Sequence, residues 1–148
     1  MDAQQEKLNF FLASAFADVL RLEERELARG AYADLSVSEM HVIEAVCGGQ
    51  AHEGQSMTAL AQTLGVSAGT LSVAVKTLVQ KGYLVRSRAA SDRRRVLVTP
   101  TAAALGAAAA HRRFHERLVE AVAARLSPAE LETLAGALMT LHRFFAAL

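Results

Sequence analysis

The sequence predicts a mainly α-helical chain with one small β-hairpin, on the basis of three observations. Apolar residues recur every three or four positions over most of the 148 residues, which is the period of an α-helix. Residues that cap helices stand just before several of these apolar runs. One stretch, residues 83–99, is β-prone and interrupted by a short polar segment, as two paired strands are. With 52% hydrophobic residues, the chain can form one domain with a buried core.

The first two helices are predicted from apolar spacing and from capping residues. Residues 4–28 place apolar side chains on one helical face, and the pattern ends near Gly30. The segment "LSVSEMHVIEAV" then offers Ser36 as N-cap and Glu39 three residues later, which is the spacing of a capping box. A second helix is therefore predicted over about residues 37–47.

A helix-turn-helix is predicted in "SMTALAQTLGVSAGTLSVAVKTLVQKG". Ser56 caps a short helix to Leu64, Gly65 supplies a left-handed stop, and Ser67 caps a second helix to about Lys81. Two helices joined by "GVS" have the length and turn of this motif. The residues expected to share a small core between them are Leu60, Val66, Leu71 and Val75.

A basic wing and two more helices complete the predicted order. "YLVRSR" and "RRVLVT" flank "AASD", so they predict a hairpin with a basic tip that ends at Pro100. Thr101 caps an alanine-rich helix, and "SPAE" at residues 127–130 is a capping box with proline at the first helical position. The expectation is a single domain over residues 1–148. Its two parts are a winged helix-turn-helix lobe, residues 36–100, and helical dimerisation arms, residues 1–35 and 101–148.

The net charge of +1 conceals an uneven distribution along the chain. Residues 1–75 carry 4 Lys or Arg and 10 Asp or Glu, whereas residues 76–95 carry 7 Lys or Arg and Asp92 alone. Phosphate groups require a local positive patch of this kind, because nonspecific affinity for nucleic acid comes mostly from counterion release. Nucleic acid is therefore the first partner to expect, and the predicted helix-turn-helix makes it double-stranded DNA.

The residues expected to contact DNA lie in the second helix of the motif and in the wing. The N-terminal half of such a helix enters the major groove, and small polar side chains there allow close approach. Arginine at a hairpin tip can enter a narrow minor groove, and Asp92 is expected to hold Arg94 by a bidentate pair. The predicted DNA-binding residues are Ser67, Ala68, Gly69, Thr70, Ser72, Val73, Lys76, Arg86, Arg88, Asp92, Arg93, Arg94 and Arg95.

The N-terminal sequence, the lengths of the apolar runs and the single cysteine predict the cellular location and the redox state. The start, "MDAQQEKLNF", lacks the order of a signal peptide, and no run of 18 apolar residues occurs, so a cytoplasmic protein without a membrane partner is expected. The single cysteine, Cys47, cannot form an internal disulfide. Its apolar neighbours predict a buried, inert thiol rather than a redox switch.

Three stretches together resemble the MarR family of winged-helix transcription regulators. They are "LSVSEMHVIEAV", "MTALAQTLGVSAGTLSVAVKTLVQKGYLVRSR" and "SDRRRVLVT", and the likeness extends over nearly the whole chain. The resemblance implies a homodimer whose first and last two helices interlock, and binding to palindromic operators near promoters. Asp92 and Arg94 match the Asp-x-Arg of the family's wing, and residues 67–76 match its recognition helix.

Two branches of this family share features with the chain. "HVIEAV", "GTLSVAVKTLVQKGYLVR" and "HRRFHERL" look most like the branch that represses fatty-acid biosynthesis genes in response to acylated carrier protein. A neighbouring branch, the zinc-uptake regulators, shares the paired histidines of the fifth helix. The resemblance implies a repressor with an acyl or small-molecule ligand, or alternatively a zinc-responsive regulator of metal uptake.

Dimerisation is also expected from the last helix alone. Its apolar face is larger than one small domain can cover. A two-fold dimer would place two recognition helices roughly 34 Å apart, which is one turn of DNA. The residues of this face are Leu131, Leu134, Leu138, Leu141, Phe144, Phe145 and Leu148.

The stretch "HRRFHERL" sets His111 and His115 four residues apart on the apolar face of the fifth helix. Buried imidazoles need hydrogen-bond partners, so polar groups must meet them. Zinc-sensing relatives supply these partners as a histidine and an acid, which correspond to His41 and to Glu23 or Glu26. These residues could form a hydrogen-bonded network beside a ligand pocket, or they could bind Zn²⁺.

Two other classes of function, an enzyme and a helical interaction module, are alternatives to DNA binding. A zinc-dependent hydrolase would use the same histidines, but no nucleophile motif or cleft accompanies them, so the chain is not expected to be an enzyme. A helical interaction module without DNA binding would not explain the basic residues of the wing. His52 and His142 have no comparable neighbours and are given no role.

Overall fold

The computed structural model describes residues 1–49 and 54–148, so His52, which was given no role, lies outside the described residues. The chain is mainly α-helical with a small antiparallel sheet, as predicted. Residues Met1–His111 form one compact unit and Arg112–Leu148 a second. In chain order the elements are α1 (Ala3–Arg29), α2 (Val37–Cys47), β1 (Gln55–Ser56), α3 (Met57–Leu64), α4 (Ala68–Gln80), β2 (Leu84–Arg88), β3 (Val96–Pro100), α5 (Ala102–Ala123) and α6 (Pro128–Ala146).

The predicted helix ends are confirmed by their caps. Ser36 accepts a hydrogen bond from the Glu39 N–H and donates its own N–H to the Glu39 carboxylate, which completes a capping box. Ser127 and Glu130 form the same arrangement at α6. Gly65 ends α3 with φ at 64°, a left-handed conformation that glycine adopts without strain. Each of these signals is local, so each could be predicted from the sequence.

Helices α3 and α4 form the predicted helix-turn-helix. They are bent by 107° at the break between them, within the range of this motif. Taken together, the bent pair has the length and the apolar composition of a membrane span. Within residues 1–49 and 54–148, no single helix is long and apolar enough to cross a bilayer.

The sheet contains a third strand that the sequence did not predict. Its order is β1-β3-β2, with both pairings antiparallel. In the predicted hairpin, Arg86 lies opposite Val98. On the other side of β3, Gln55 of β1 pairs with Val98. Two residues are too few to show an alternating pattern, so only the pairing defines β1.

The core of the first unit lies between α2, α3, α4 and the sheet. Leu60, Leu71 and Val75 are fully buried there, as predicted. The prediction that Val66 shares this core is wrong, because its side chain is 38% exposed. Val66 lies in the turn after Gly65, where its N–H donates to the Ala61 carbonyl. This turn leaves the Val66 side chain at the rim of the helix pair rather than between the helices.

The second unit leaves much apolar surface uncovered in the single chain. No residue of α6 is buried. Most of the predicted apolar face of α6 is exposed, which accords with the expectation that another surface covers it. The exposed large apolar residues of this helix and the terminus are Leu131, Leu134, Leu138, Met139, Phe144, Phe145 and Leu148.

Gly106 of α5 allows the ring of Tyr32 to approach the helix. A Cβ at this position would lie 2.4 Å from the Tyr32 hydroxyl, at the end of a rigid ring. We expect Gly106→Ala to lower the free energy of unfolding by about 1 kcal/mol, because overpacking outweighs the gain in helix propensity. The matched control is Gly136→Ala in α6, where an added Cβ meets nothing within 4 Å.

The control should instead stabilise the protein by about 1 kcal/mol, since alanine is the better helix former. Urea denaturation followed by circular dichroism measures both changes. Stabilisation by both alanines would contradict the packing of Tyr32 against Gly106.

Candidate nucleic-acid interface

Helix α4 exposes the face that was predicted to contact DNA. Ser67 begins the helix by accepting a hydrogen bond from the Thr70 N–H at 3.2 Å. Leu71, Val75 and Leu78 bury the opposite face and so fix which side of α4 points outward. The predicted contact residues Ser67, Ala68, Gly69, Thr70, Ser72, Val73 and Lys76 are all exposed.

The exposed face of α4 is made of small side chains. Val73 is the large apolar residue on it, and its side chain is 68% exposed. A Cβ added at Gly69 would meet no heavy atom within 4 Å, so the helix surface is open there. Another surface can therefore approach the backbone of α4 closely at its N-terminal turns.

The wing brings its predicted arginines to the surface beside α4. Arg86 and Arg88 lie on β2, and Arg93, Arg94 and Arg95 lie in the turn before β3. Arg86 donates from Nη2 to the Ser72 carbonyl at 3.3 Å, which links the wing to the middle of α4. Arg88 donates to the Arg93 carbonyl at 3.0 Å and closes the tip of the wing. This hydrogen bond thus holds the arginine-bearing wing beside the exposed face of α4.

The contact between Asp92 and Arg94 differs from the predicted bidentate pair. A single carboxylate oxygen, Oδ1 of Asp92, accepts from the Arg94 backbone N–H at 3.0 Å and from Nε at 3.2 Å. Residues two apart place a side-chain oxygen beside the backbone N–H, which is why a local turn forms instead of a fork-to-fork pair. The Arg94 side chain is 92% exposed, so the guanidinium still reaches solvent.

A groove next to the wing adds residues that sequence reasoning did not single out for DNA binding. It has a volume of about 480 Å³ and lies between the start of α3 and the turn that leads into β3. Ser56 and Thr58 line one side, and Arg94 and Arg95 line the other. A helix N-terminus beside two guanidinium groups suits a phosphate. Only the pairing of β1 with β3 brings these segments together.

An acid–histidine cluster lies in the first unit, where α1, α2 and the start of α5 meet. We define it as Glu23 of α1, His41 and Glu44 of α2, and His111 of α5. Nε2 of His111 lies 3.4 Å from Glu23 Oε1 and 3.7 Å from Glu44 Oε1, and Nε2 of His41 lies 3.8 Å from Glu23 Oε1. The side chains of Glu23 and His111 are only 8% and 2% exposed. Three helices therefore meet at a buried polar centre.

The structure places some, but not all, of the predicted residues in this cluster. Glu23 is buried and lies within 4 Å of His41 and His111, whereas Glu26 is exposed. Glu44 was not predicted, although its position three residues after His41 places both on one face of α2. His115 lies one helical turn beyond His111, in the second unit, and its part in the cluster stays a prediction.

Cys47 closes α2 next to the cluster. Its side chain is half-buried, and burial together with the nearby Glu44 carboxylate raises the pKa of the thiol above its usual value. Because the thiolate is the reactive form, a raised pKa lowers reactivity at neutral pH. This accords with an inert thiol. His142, which was given no role, is exposed on α6.

Comparison with known proteins finds one matching family model and several similar folds. Residues 33–95 match the model of the MarR family. The fold is similar to that of Streptococcus pneumoniae FabT in complex with DNA, with 29% identity over 97% of this chain and 98% of that chain and a TM-score of 0.88. BldR of Sulfolobus solfataricus, a transcriptional regulator, shares 25% identity over 97% of this chain and 99% of its own, with a TM-score of 0.68.

A third structure shows the same fold at lower identity. The MepR–DNA complex of S. aureus is 17% identical over 95% of this chain and 97% of that chain, with a TM-score of 0.78. No curated protein sequence matches the chain significantly. The family model covers the helix-turn-helix and the wing tip, and the FabT fold extends over both arms. The winged-helix region of the chain therefore matches the MarR family of transcription regulators, and the fold of nearly the whole chain is similar to that of DNA-bound FabT.

Proposed function

We propose that the protein is a homodimeric repressor that binds a palindromic operator. In this proposal α4 enters the major groove with residues 67–73 and Lys76, and the arginines of the wing reach the adjacent minor groove and backbone. The observation that carries the proposal is the outward, small-residue face of α4 beside exposed wing arginines. Similarity to FabT, which was crystallised with DNA, supports the same orientation.

Apolar surface that one chain leaves exposed supports the proposed two-fold dimer. Apolar residues of α1, including Leu8, Phe11 and Phe16, are exposed, as is the apolar face of α6. A second copy of the chain would cover both faces, in keeping with the interlocked arms that the family resemblance implies. A dimer also doubles the number of base contacts available to a helix that carries only small polar side chains.

Selection from a random duplex library tests the proposed DNA recognition. The purified protein is incubated with the library, and bound duplexes are amplified and sequenced over several rounds. We expect an inverted repeat whose half-sites are centred about 10 base pairs apart, one turn of DNA. The most enriched sequence is called the selected duplex below. Failure to enrich any sequence would contradict recognition by α4.

For the effector, we propose an acyl ligand held near helices α1, α2 and α5. Glu23 and His111 supply a buried polar group there, to which the head of an amphipathic ligand can bind. On the α4 side of His41 lies a cavity of about 200 Å³, lined by Val42, Leu71 and Ala74 among others. A ligand that contacts both regions would favour one position of α4 over another. The resemblance to the fatty-acid branch is what makes an acyl chain the proposed ligand.

Acylated and unacylated carrier protein separate this effector from others. Affinity for the selected duplex is measured by fluorescence anisotropy with each form of carrier protein present. We expect only the long-chain acylated form to change the affinity. Equal effects of the two forms would contradict an acyl effector, without touching DNA recognition itself.

Zinc is the second candidate effector, favoured by the spacing of the ligand atoms. In a tetrahedral site with bonds of about 2.1 Å, neighbouring ligand atoms lie about 3.4 Å apart. The ligand atoms of His41, Glu44 and His111 all lie within 4.8 Å of one another, so these side chains could converge on a metal ion. Histidine and carboxylate are also ligands that Zn²⁺ accepts. If untagged protein binds no Zn²⁺ at submicromolar free metal, this candidate is wrong.

A further inference from the structure

A junction outside the predicted DNA-contacting residues holds the far end of α4. Three segments meet there: the loop between α1 and α2, residues 81–83 after α4, and the start of α5. We define the Asp34 junction as Asp34, Glu39, Lys81, Tyr83 and Thr101. Its partners are as many as 49 residues apart in sequence, so only the fold brings them together.

The first side of the junction ties α4 to the end of the α1–α2 loop. Lys81, the C-cap of α4, donates from Nζ to the Asp34 carbonyl and to Glu39 Oε2, the latter at 2.8 Å. Tyr83 donates from its hydroxyl to Asp34 Oδ1 at 2.8 Å. Glu39 also completes the capping box of α2, so the ion pair is anchored on a helix start. The charge of Lys81 is therefore paired with Glu39 within the junction.

The second side of the junction ties the same segment to α5. The Thr101 hydroxyl lies 2.8 Å from the Gly82 carbonyl and 3.0 Å from the Tyr83 carbonyl, and can donate to either. The Thr101 N–H donates to the Tyr83 carbonyl at 3.0 Å. Gly82, with φ at 85°, makes the sharp turn that presents both carbonyls to Thr101. The segment is thus held from two directions.

Tyr83 is suited to be a permanent donor in this junction. Its side chain is buried and its ring lies against that of Tyr32, with centroids 6.4 Å apart. Burial, followed by the hydrogen bond to Asp34, raises the pKa of Tyr83 to about 12. The hydroxyl therefore keeps its proton at every physiological pH.

We propose that the Asp34 junction fixes the orientation of α4 relative to the ends of α1 and α5, with Tyr83 and Lys81 as positioning residues for DNA recognition. The inference rests on the proposed recognition of DNA by α4. A helix of 13 residues is about 20 Å long, so a rotation of about 10° at the fixed end moves the other end by about 3 Å. A displacement of that size breaks any hydrogen bond to a base edge.

Two conservative variants test the junction. Tyr83→Phe removes one hydroxyl and keeps the ring. Glu39→Gln removes the charge that Lys81 pairs with, yet keeps a residue that serves equally in a capping box. The control is Glu116→Gln, which breaks the exposed pair of Arg112 and Glu116 on α5, outside the junction.

Binding is measured to the selected duplex and to a scrambled duplex of the same composition, at several salt concentrations. We expect each junction variant to lose about fivefold in affinity for the selected duplex, the lower end of coupling between separate sites. Affinity for the scrambled duplex and the salt dependence should stay unchanged, because the phosphate contacts remain. Equal loss on both duplexes, or no loss on either, would overturn the proposal.

A distance measurement tests the junction without DNA. Spin labels are placed at Arg29→Cys on α1 and Val73→Cys on α4, in a Cys47→Ser background. We expect Tyr83→Phe to broaden the distance distribution between the labels, and Glu116→Gln to leave it unchanged. An unchanged distance distribution in Tyr83→Phe would overturn the proposed role of the junction. This measurement needs no selected duplex. Failure to select a duplex would contradict the proposed function instead.

Discussion

Replacing Arg94 by alanine is expected to weaken binding to the selected duplex about tenfold, the lower part of the range for one arginine contact. The same change should reduce the slope of log affinity against log salt by about one unit, because one phosphate-neutralising charge is lost. Arg94 is the residue for this test because its guanidinium is exposed while Asp92 holds its Nε. Anisotropy titrations at several salt concentrations measure both quantities.

A second arginine, outside the wing, shows whether the loss of affinity in Arg94→Ala depends on the position of the residue or only on its charge. Arg112→Ala removes the same charge from α5, outside the basic surface of residues 76–95, where the side chain pairs with Glu116. We expect it to leave the affinity within about twofold and the salt slope unchanged. An equal effect of the two substitutions would show that the wing has no special contact with DNA.

Replacing Leu138 by glutamate is expected to separate the proposed dimer into monomers. Leu138 is 42% exposed in the single chain and lies within the apolar face of α6. Each copy would lose about 2 kcal/mol or more of apolar burial and would place a carboxylate in the interface. Because two-fold symmetry counts each change twice, the dimer dissociation constant should rise at least about a thousandfold.

The control for this change is Thr140→Glu, which adds the same charge at an exposed position on the opposite face of α6. Sedimentation velocity gives the oligomeric state of both variants, and circular dichroism shows that each stays helical. Leu138→Glu should sediment as a monomer and bind the selected duplex weakly, whereas Thr140→Glu should behave as the wild type. A dimer of Leu138→Glu as stable as the wild type would place the dimer interface elsewhere.

Most of the fold could be predicted because its signals are local. The caps at Ser36, Ser67 and Ser127 and the stop at Gly65 depend on neighbours within a few residues, and all four are confirmed. The same holds for the face of α4, whose apolar spacing fixes which residues are buried. Strand β1 was missed because its two residues gain their structure only by pairing with β3.

The candidate sites were predicted in part, and the gaps have physical causes. The choice between Glu23 and Glu26 depends on how α1 rotates against α2 and α5, which helical spacing leaves open. Contacts that join distant segments, such as Arg86 to Ser72 and Lys81 to Glu39, depend on tertiary packing. Arg86 was predicted as a DNA contact. Its hydrogen bond to α4 also gives it a structural role, which no local pattern indicated.

Tethered cleavage on the selected duplex most directly tests which surface faces DNA. A DNA-cleaving reagent is attached to Val73→Cys on α4, to Ala90→Cys in the wing, or to Thr140→Cys on α6, each in a Cys47→Ser background. Val73 and Ala90 are exposed: Val73 is one of the predicted contacts, and Ala90 lies between β2 and the arginines of the wing turn. We expect two symmetric cleavage clusters from the α4 position, centred about 10 base pairs apart, flanking cleavage from the wing, and little from α6. Equal or stronger cleavage from the α6 position would contradict recognition by α4 and the wing.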